Sequence, residues 1–212
     1  MYIKICGITN LSDGQKALSL GADAIGFIAY PKSKRYINSE KVKEIIEQLR
    51  ETYPNRDYAG VFVNAKKEEI ASYINAGINT IQFHGNETNN EINNINTECK
   101  KWKALAISTT EEIERIKAFN VHTILIDAYD KENYGGTGKL ANWELAKKAI
   151  KETKKKVILA GGITARNITQ AIQKTEPYGL DLSSGVEKSP GIKDHKKLEE
   201  LFNELKKNNY IP

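Results

Sequence analysis

Cysteine is scarce in this chain: Cys6 and Cys99 are the only two among 212 residues, and they stand far apart in unrelated surroundings. That count excludes a disulfide framework and a cysteine-rich metal cluster, and it points to a reducing compartment. Histidine is equally sparse, with His84, His122 and His195 occurring singly and without metal-ligand spacing. No apolar run approaches the ~20 residues of a membrane-spanning helix. The sequence begins directly in a strand-like run, without the basic region, apolar core and cleavage site of a leader. The resulting expectation is a cytoplasmic protein with no membrane partner. No Gly-x-x-x-x-Gly-Lys-Ser/Thr segment occurs, which excludes a P-loop. No dinucleotide fingerprint follows the first strand-like run.

What is present is ordinary globular composition, 40% hydrophobic and 28% charged. A chain of this length can bury roughly 70% of the surface that its unfolded form exposes. The net charge of +5 comes largely from scattered lysines such as Lys147, Lys148, Lys151, Lys154, Lys155 and Lys156. Aromatic residues do not interleave with them and no recognition motif appears, so no nucleic-acid partner is expected. The excess charge would still help to draw an anionic substrate.

Short β-branched or apolar runs alternate with longer amphipathic ones, the pattern of βα units around a parallel sheet. Strands are expected near 2–6, 23–28, 58–63, 79–83, 103–107, 122–127, 156–160 and 180–183. Helical spacing is plain from Glu40 to Glu51, where Val42, Ile45, Ile46 and Leu49 recur on one face. It returns near 195–207 with Leu198, Leu201, Phe202 and Leu205. The Asn-rich stretch from Thr88 to Asn96 reads as a polar helix face. Eight such units with no spare segment predict an α/β fold, a single (β/α)8 TIM barrel spanning 1–212, with an open doubly wound sheet as the alternative.

Polar groups gather where strands end. Those places hold Cys6-Gly7, Gln82-Phe83-His84-Gly85, Asp127, Ala160-Gly161-Gly162 and Ser183-Ser184-Gly185. Barrel enzymes build their sites at this end. The glycine turns of the seventh and eighth units would let backbone N–H groups approach a phosphate. Side-chain alternation puts Lys4 on the same face as Cys6, Gln82 with His84, and Asp181 with Ser183. A barrel closes its first strand on its last, so a buried Lys4–Asp181 pair is expected, able to favour a Cys6 thiolate. Cys99, by contrast, reads as a small core hydrophobe.

Taken together, the chain closely resembles the phosphoribosylanthranilate isomerase family of tryptophan biosynthesis. The resemblance rests on Lys4-Ile5-Cys6-Gly7-Ile8-Thr9, Ala24-Ile25-Gly26-Phe27, Ser33 to Ile37 and Gly60-Val61-Phe62-Val63-Asn64. It continues through Gln82-Phe83-His84-Gly85, Leu125-Ile126-Asp127, Gly135-Gly136-Thr137-Gly138, Leu159 to Gly162, and Asp181 to Glu187 with Pro190-Gly191 and Lys193-Asp194. It implies an Amadori rearrangement of a phosphosugar, with no cofactor and no metal, Asp127 as general acid and Cys6 as general base. The acid must start protonated and the base deprotonated. Burial is expected to favour the first and positive charge the second. The resemblance also implies Arg35 as holder of the anthranilate carboxylate and Gly161, Gly162, Ser184 and Gly185 as phosphate holders. His84 and Asp181 would be orienting groups, and Gly135 to Gly138 a loop that orders over substrate.

Two departures stand out. Lys34 replaces the Pro that usually precedes the Arg, which predicts a less rigid anchoring loop. Ala141-Asn142-Trp143 replaces Phe-Asp-Trp, leaving Asn142 as a helix cap. A histidine-pathway isomerase would carry a carboxylate at position 6, and a ribulose-phosphate epimerase would need more metal-ligating histidines. A dual-substrate isomerase and a phosphosugar-binding barrel without turnover are the remaining alternatives. Monomer and homodimer are equally compatible with the sequence.

Overall fold

The computed structural model describes residues 1–127 and 143–212. Eight parallel strands close into a barrel in chain order, β1 (Tyr2–Cys6), β2 (Ala24–Ile28), β3 (Asp57–Phe62), β4 (Thr80–Phe83), β5 (Lys100–Ala106), β6 (Thr123–Asp127), β7 (Lys156–Leu159) and β8 (Gly179–Leu182). Helices α1 (Leu11–Leu20), α2 (Ser39–Thr52), α3 (Lys67–Asn75), α4 (Asn89–Asn93), α5 (Glu111–Ala118), α6 (Trp143–Glu152), α7 (Ile168–Thr175) and α8 (His195–Lys207) follow the strands in turn. The closed barrel settles the choice against an open sheet.

Local chemistry explains where the helices start. Asn10 caps α1 by accepting from the Asp13 amide, and Gly21 ends it in the left-handed conformation at φ 112. Thr88 and Glu91 form a reciprocal capping box that lets α4 exist at only five residues. The α2 stripe of Val42, Ile45, Ile46 and Leu49 is buried as its spacing predicts, each side chain contributing roughly 1.5–3 kcal/mol. On α8 the buried stripe is Leu198, Leu201, Phe202 and Leu205.

The hydrophobic interior has two layers. Ile3, Ile5, Ile25, Phe27, Ile81, Ile124 and Ile126 point outward from the strands into the shell of helices. Trp102, Ala104, Leu125, Ile158 and Ala160 fill the barrel itself. Lys4 and Cys6 lie on the opposite face from Ile3 and Ile5, as alternation requires.

Two expectations need correction. Strand β5 begins at Lys100 rather than near 103. Its lysine-rich start hides the strand, because Lys100 and Lys101 send their ammonium groups out to Asp57 and to the Ile92 carbonyl. The chain also has a spare segment. A short 3-10 turn (Ser184–Val186) leads into an antiparallel hairpin of β9 (Glu187–Ser189) and β10 (Ile192–Lys193) before α8. Its inward residues, Glu187 and Lys193, are charged, so no apolar alternation announces it.

Candidate active site

The seam that closes the barrel supplies the first groups. Strands β1 and β8 pair with Lys4 opposite Asp181, and Lys4 Nζ lies 2.9 Å from both carboxylate oxygens. Both side chains are buried. Burial disfavours the charged form of each, but the close two-oxygen contact, with Cys6 beside it, holds Lys4 protonated and its pKa above the ordinary value.

Cys6 ends β1 in register with Gly26 of β2. A Cβ at Gly26 would come within 2.8 Å of the Cys6 sulfur and 3.1 Å of Lys4 Nζ. The bare glycine therefore makes the space in which thiol and ammonium converge. Here the expected electrostatics are only half right. Burial pushes the Cys6 thiol up from its ordinary value near 9.0, and Lys4, acting in the anticipated direction, does not overcome it. The sulfur rests protonated at neutral pH.

Strands β4 and β6 bring the second cluster. Gln82 is buried inside the barrel and its amide nitrogen lies 3.0 Å from His84 Nδ1. The other ring nitrogen, Nε2, is 3.4 Å from Asp127 Oδ2. Asp127 closes β6, three strands from Cys6 around the shorter arc of the rim. Asp181 links the two clusters electrostatically: beyond its burial, its carboxyl is acted on most strongly by Lys4 and more weakly by Asp127 and His84.

A buried pair that sequence reading did not single out fixes the β4 loop. Lys103 Nζ donates to Glu87 Oε2 at 2.7 Å and to the Gly85 carbonyl at 2.7 Å. Glu87 in turn accepts from the Asn64 and Gly85 amides. Lys103 faces away from the barrel interior, so nothing in a lysine-rich stretch marks it as different from its neighbours.

The seventh and eighth loops meet directly. Gly161 and Gly162 adopt positive φ of 92 and 66, conformations that a side chain would strain. Asn167 pins this turn through the Thr164 amide and the Gly162 carbonyl. A Cβ on Gly185 would overlap the Ile163 carbonyl oxygen. Among the described residues, the amides of Gly161, Gly162, Ser184 and Gly185 form no hydrogen bond with the protein. The Ser183 hydroxyl is likewise buried without a partner.

Arg35 completes the rim. Its stem lies against Gly7, where an added Cβ would stand 2.7 Å from Arg35 Cδ, and its guanidinium is held by Glu187. It is not a solvated loop cation: only 12% of its side chain is exposed. Despite Lys34, the loop is tied by the Ser33 and Tyr36 turn bonds and by an Ile28–Tyr36 bridge. Cys99 is half-buried against the outer core, its sulfur 3.5 Å from the Ile78 carbonyl. The Gly135 to Gly138 segment, Ala141 and Asn142 lie outside the described residues.

Residues 3–204 match the family model described as N-(5'phosphoribosyl)anthranilate (PRA) isomerase. A relative in Synechococcus elongatus named N-(5'-phosphoribosyl)anthranilate isomerase is 40% identical, covering 100% of this chain and 99% of its own length. The solved phosphoribosyl anthranilate isomerase of Thermus thermophilus superposes with a TM-score of 0.88 at 33% identity, over 98% of this chain and 100% of that one. A further solved isomerase, in complex with reduced 1-(o-carboxyphenylamino)-1-deoxyribulose 5-phosphate, superposes with a TM-score of 0.82 at 32% identity, over 98% of this chain and 99% of that one.

Proposed function

The chain belongs to the N-(5'-phosphoribosyl)anthranilate isomerase family, and from that premise we infer how its barrel mouth divides the work. The reaction is an Amadori rearrangement in tryptophan biosynthesis, converting N-(5'-phosphoribosyl)anthranilate to 1-(2-carboxyphenylamino)-1-deoxyribulose 5-phosphate. Asp127 gives a proton to the ribose ring oxygen while the anthranilate nitrogen pushes its lone pair into C1', opening the ring to an iminium. The Cys6 thiolate then removes the C2' proton, and the electron pair left behind forms the C1'–C2' double bond of an enolamine. Proton transfer to C1' and loss of the C2' hydroxyl proton yield the ketone. The iminium nitrogen is the electron sink.

The observation that carries this division is the convergence of Lys4, Asp181 and the Gly26 gap on Cys6, with His84 set against Asp127. A thiol held protonated is not yet a base. Forming the thiolate, with the thiol proton passing to solvent, is thus part of the barrier, and Lys4 lowers that part. Gly161, Gly162, Ser184 and Gly185 receive the phosphate through their unused amides, and Arg35 receives the carboxylate through a guanidinium fork. Asp181 and His84 hold the reacting groups in place.

Cys6, rather than a carboxylate, favours the tryptophan-pathway substrate over the histidine-pathway one. Every group named here comes from a single chain spanning one catalytic barrel, so a monomer and a homodimer serve equally. We place the protein in the cytoplasm, where Cys6 stays a free thiol. Among the described residues no helix is long and apolar enough to cross a membrane.

Mixing purified protein with freshly generated phosphoribosylanthranilate and following the loss of its fluorescence tests the reading. Continuous loss over many equivalents is expected. Loss that stops at one equivalent would mean sequestration and overturn it.

A further inference from the structure

The hairpin of β9 and β10 carries two buried charges that the reaction does not use. Glu187 is 6% exposed and Lys193 is 1% exposed. Their environment is specific. Glu187 accepts from Arg35 Nε at 2.9 and 3.1 Å and from Arg35 Nη2 at 2.7 Å, a side-on fork. It also accepts from Lys193 Nζ at 3.0 Å and from the Gly191 amide at 3.2 Å. Lys193 Nζ donates in addition to the Cys6 carbonyl at 2.5 Å.

The hairpin is itself fastened to the first βα unit. The Lys193 amide donates to Asp13 Oδ2 at 2.8 Å, and Thr9 Oγ1 donates to the Gly191 carbonyl at 2.5 Å. His195 Nε2 lies 2.8 Å from the other Asp13 oxygen. Glu187 thus has no freedom to follow Arg35 about; Arg35 must come to Glu187.

A guanidinium has two edges that can each grip a carboxylate, one formed by Nε and Nη2, the other by Nη1 and Nη2. Glu187 takes the first. Among the described residues no hydrogen bond occupies Nη1, so the second remains for another planar anion, and its direction is set by the plane that Glu187 imposes. Burial alone would push Glu187 toward its neutral form, but the Arg35 bonds and Lys193 outweigh it and hold its pKa below the ordinary value. The clamp therefore stays ionised at neutral pH.

We propose that Glu187 is a positioning residue for the aromatic carboxylate of the substrate: it fixes Arg35 side-on so that the free Nη1/Nη2 edge is presented to that group, while Lys193 anchors the clamp to the Cys6 backbone. The inference rests on Arg35 as the carboxylate holder. It gives the hairpin a specific task, which is to couple the carboxylate anchor at one side of the mouth to the strand end that carries the base. An unclamped arginine would lose rotamer freedom on each binding event, a cost that the clamp removes in advance.

The test compares wild type, Glu187→Gln and Arg35→Lys with two inhibitors, the reduced product analogue and the same phosphosugar bearing an aniline ring without the carboxylate. Wild type is expected to bind the carboxylated analogue more tightly. Glu187→Gln is expected to weaken that analogue by about tenfold or more and to raise KM in step, with kcat within about threefold. The aniline analogue should bind unchanged. Equal weakening of both analogues, or of neither, would overturn the positioning role. A wild type that does not distinguish the analogues, or an Arg35→Lys variant that still does, would instead remove the carboxylate-holder reading beneath it. Should Glu187→Gln fail to fold, nitrogen-15 arginine spectra of the wild type decide. The Arg35 Nε–H should remain protected when the carboxylated analogue binds, and exchange on binding would show that Glu187 lets go.

Discussion

Lys4 and Asp181 face each other in register across the seam that joins the first and last strands, with the ammonium nitrogen 2.9 Å from each carboxylate oxygen. The pair sits directly beneath Cys6, so removing the lysine has two separable effects. In Lys4→Met the sulfur loses its strongest opposing charge while burial stays, and its pKa should climb further above the ordinary 9.0. Alkylation rates followed against pH should shift to higher pH than in wild type. An unshifted profile would remove Lys4 from the electrostatics of the thiol. Stability should also fall by about 3–5 kcal/mol, because Asp181 is left buried without its partner.

The acid and base assignment makes a sharper demand. Cys6→Ala and Asp127→Asn should each lower kcat by about 10²–10⁴-fold, the usual range for losing a general acid or base. Neither change should prevent folding, as Cys6 is small and Asp127 lies at a strand end. Rescue of a tryptophan auxotroph by wild type and by neither variant is the companion result. Turnover within about tenfold of wild type in both would break the assignment.

Much of this was legible beforehand because alternation and strand ends are local properties. Lys4, Cys6 and Asp181 could be placed on one face from parity alone, and closure of the barrel then made neighbours of the first and last strands. The balance of forces on Cys6 was not legible. Sequence shows that a lysine is near but not how completely the sulfur is enclosed, and enclosure decides the sign. Gly26 was visible only as part of a motif, because an absent side chain has no pattern; its role is the room that it leaves for Cys6 and Lys4. Glu187 and Lys193 were visible as part of a motif, yet their work depends on a hairpin whose short charged strands carry no periodic signal.

Acid should expose the Glu187 clamp thermodynamically. Its folded pKa is lowered relative to the ordinary 4.5, so the stabilisation is fully present above that value and is lost as pH falls through the lower, folded one. Wild type should therefore exceed Glu187→Gln in unfolding free energy by on the order of 2–4 kcal/mol at neutral pH. The gap should narrow below pH 4.5. Denaturant melts of both proteins across that range would show it. A gap that widens toward acid would mean that the carboxyl is not ionised in the folded state.

Lys103 offers a test at a distance from the chemistry. Its ammonium is 2.7 Å from Glu87, and both side chains are buried. Lys103→Met should cost about 3–5 kcal/mol by stranding Glu87. Because Glu87 also holds the Asn64 and Gly85 amides, the loop that carries His84 should loosen, lowering kcat/KM more than a remote core change of equal ΔΔG. The double variant Lys103→Met, Glu87→Gln should recover part of the stability, since no lone charge is then buried. Unchanged stability in the single variant would show the pair to be solvated in practice.

The contact between the seventh and eighth loops predicts a selective loss of phosphate affinity. In Gly185→Ala the new methyl would overlap the Ile163 carbonyl oxygen, and a backbone atom cannot swing aside as a side-chain tip can. The two loops must part, at about 1–3 kcal/mol for the local overpacking. Parting them separates the Gly161 and Gly162 amides from those of Ser184 and Gly185, which in the proposed site converge on one phosphate. Inhibition by inorganic phosphate should weaken in step with a raised KM, while the Cys6 alkylation profile stays as in wild type because the β1–β8 seam lies below the wedge. Unchanged phosphate inhibition in a folded Gly185→Ala protein would place the phosphate elsewhere on the rim.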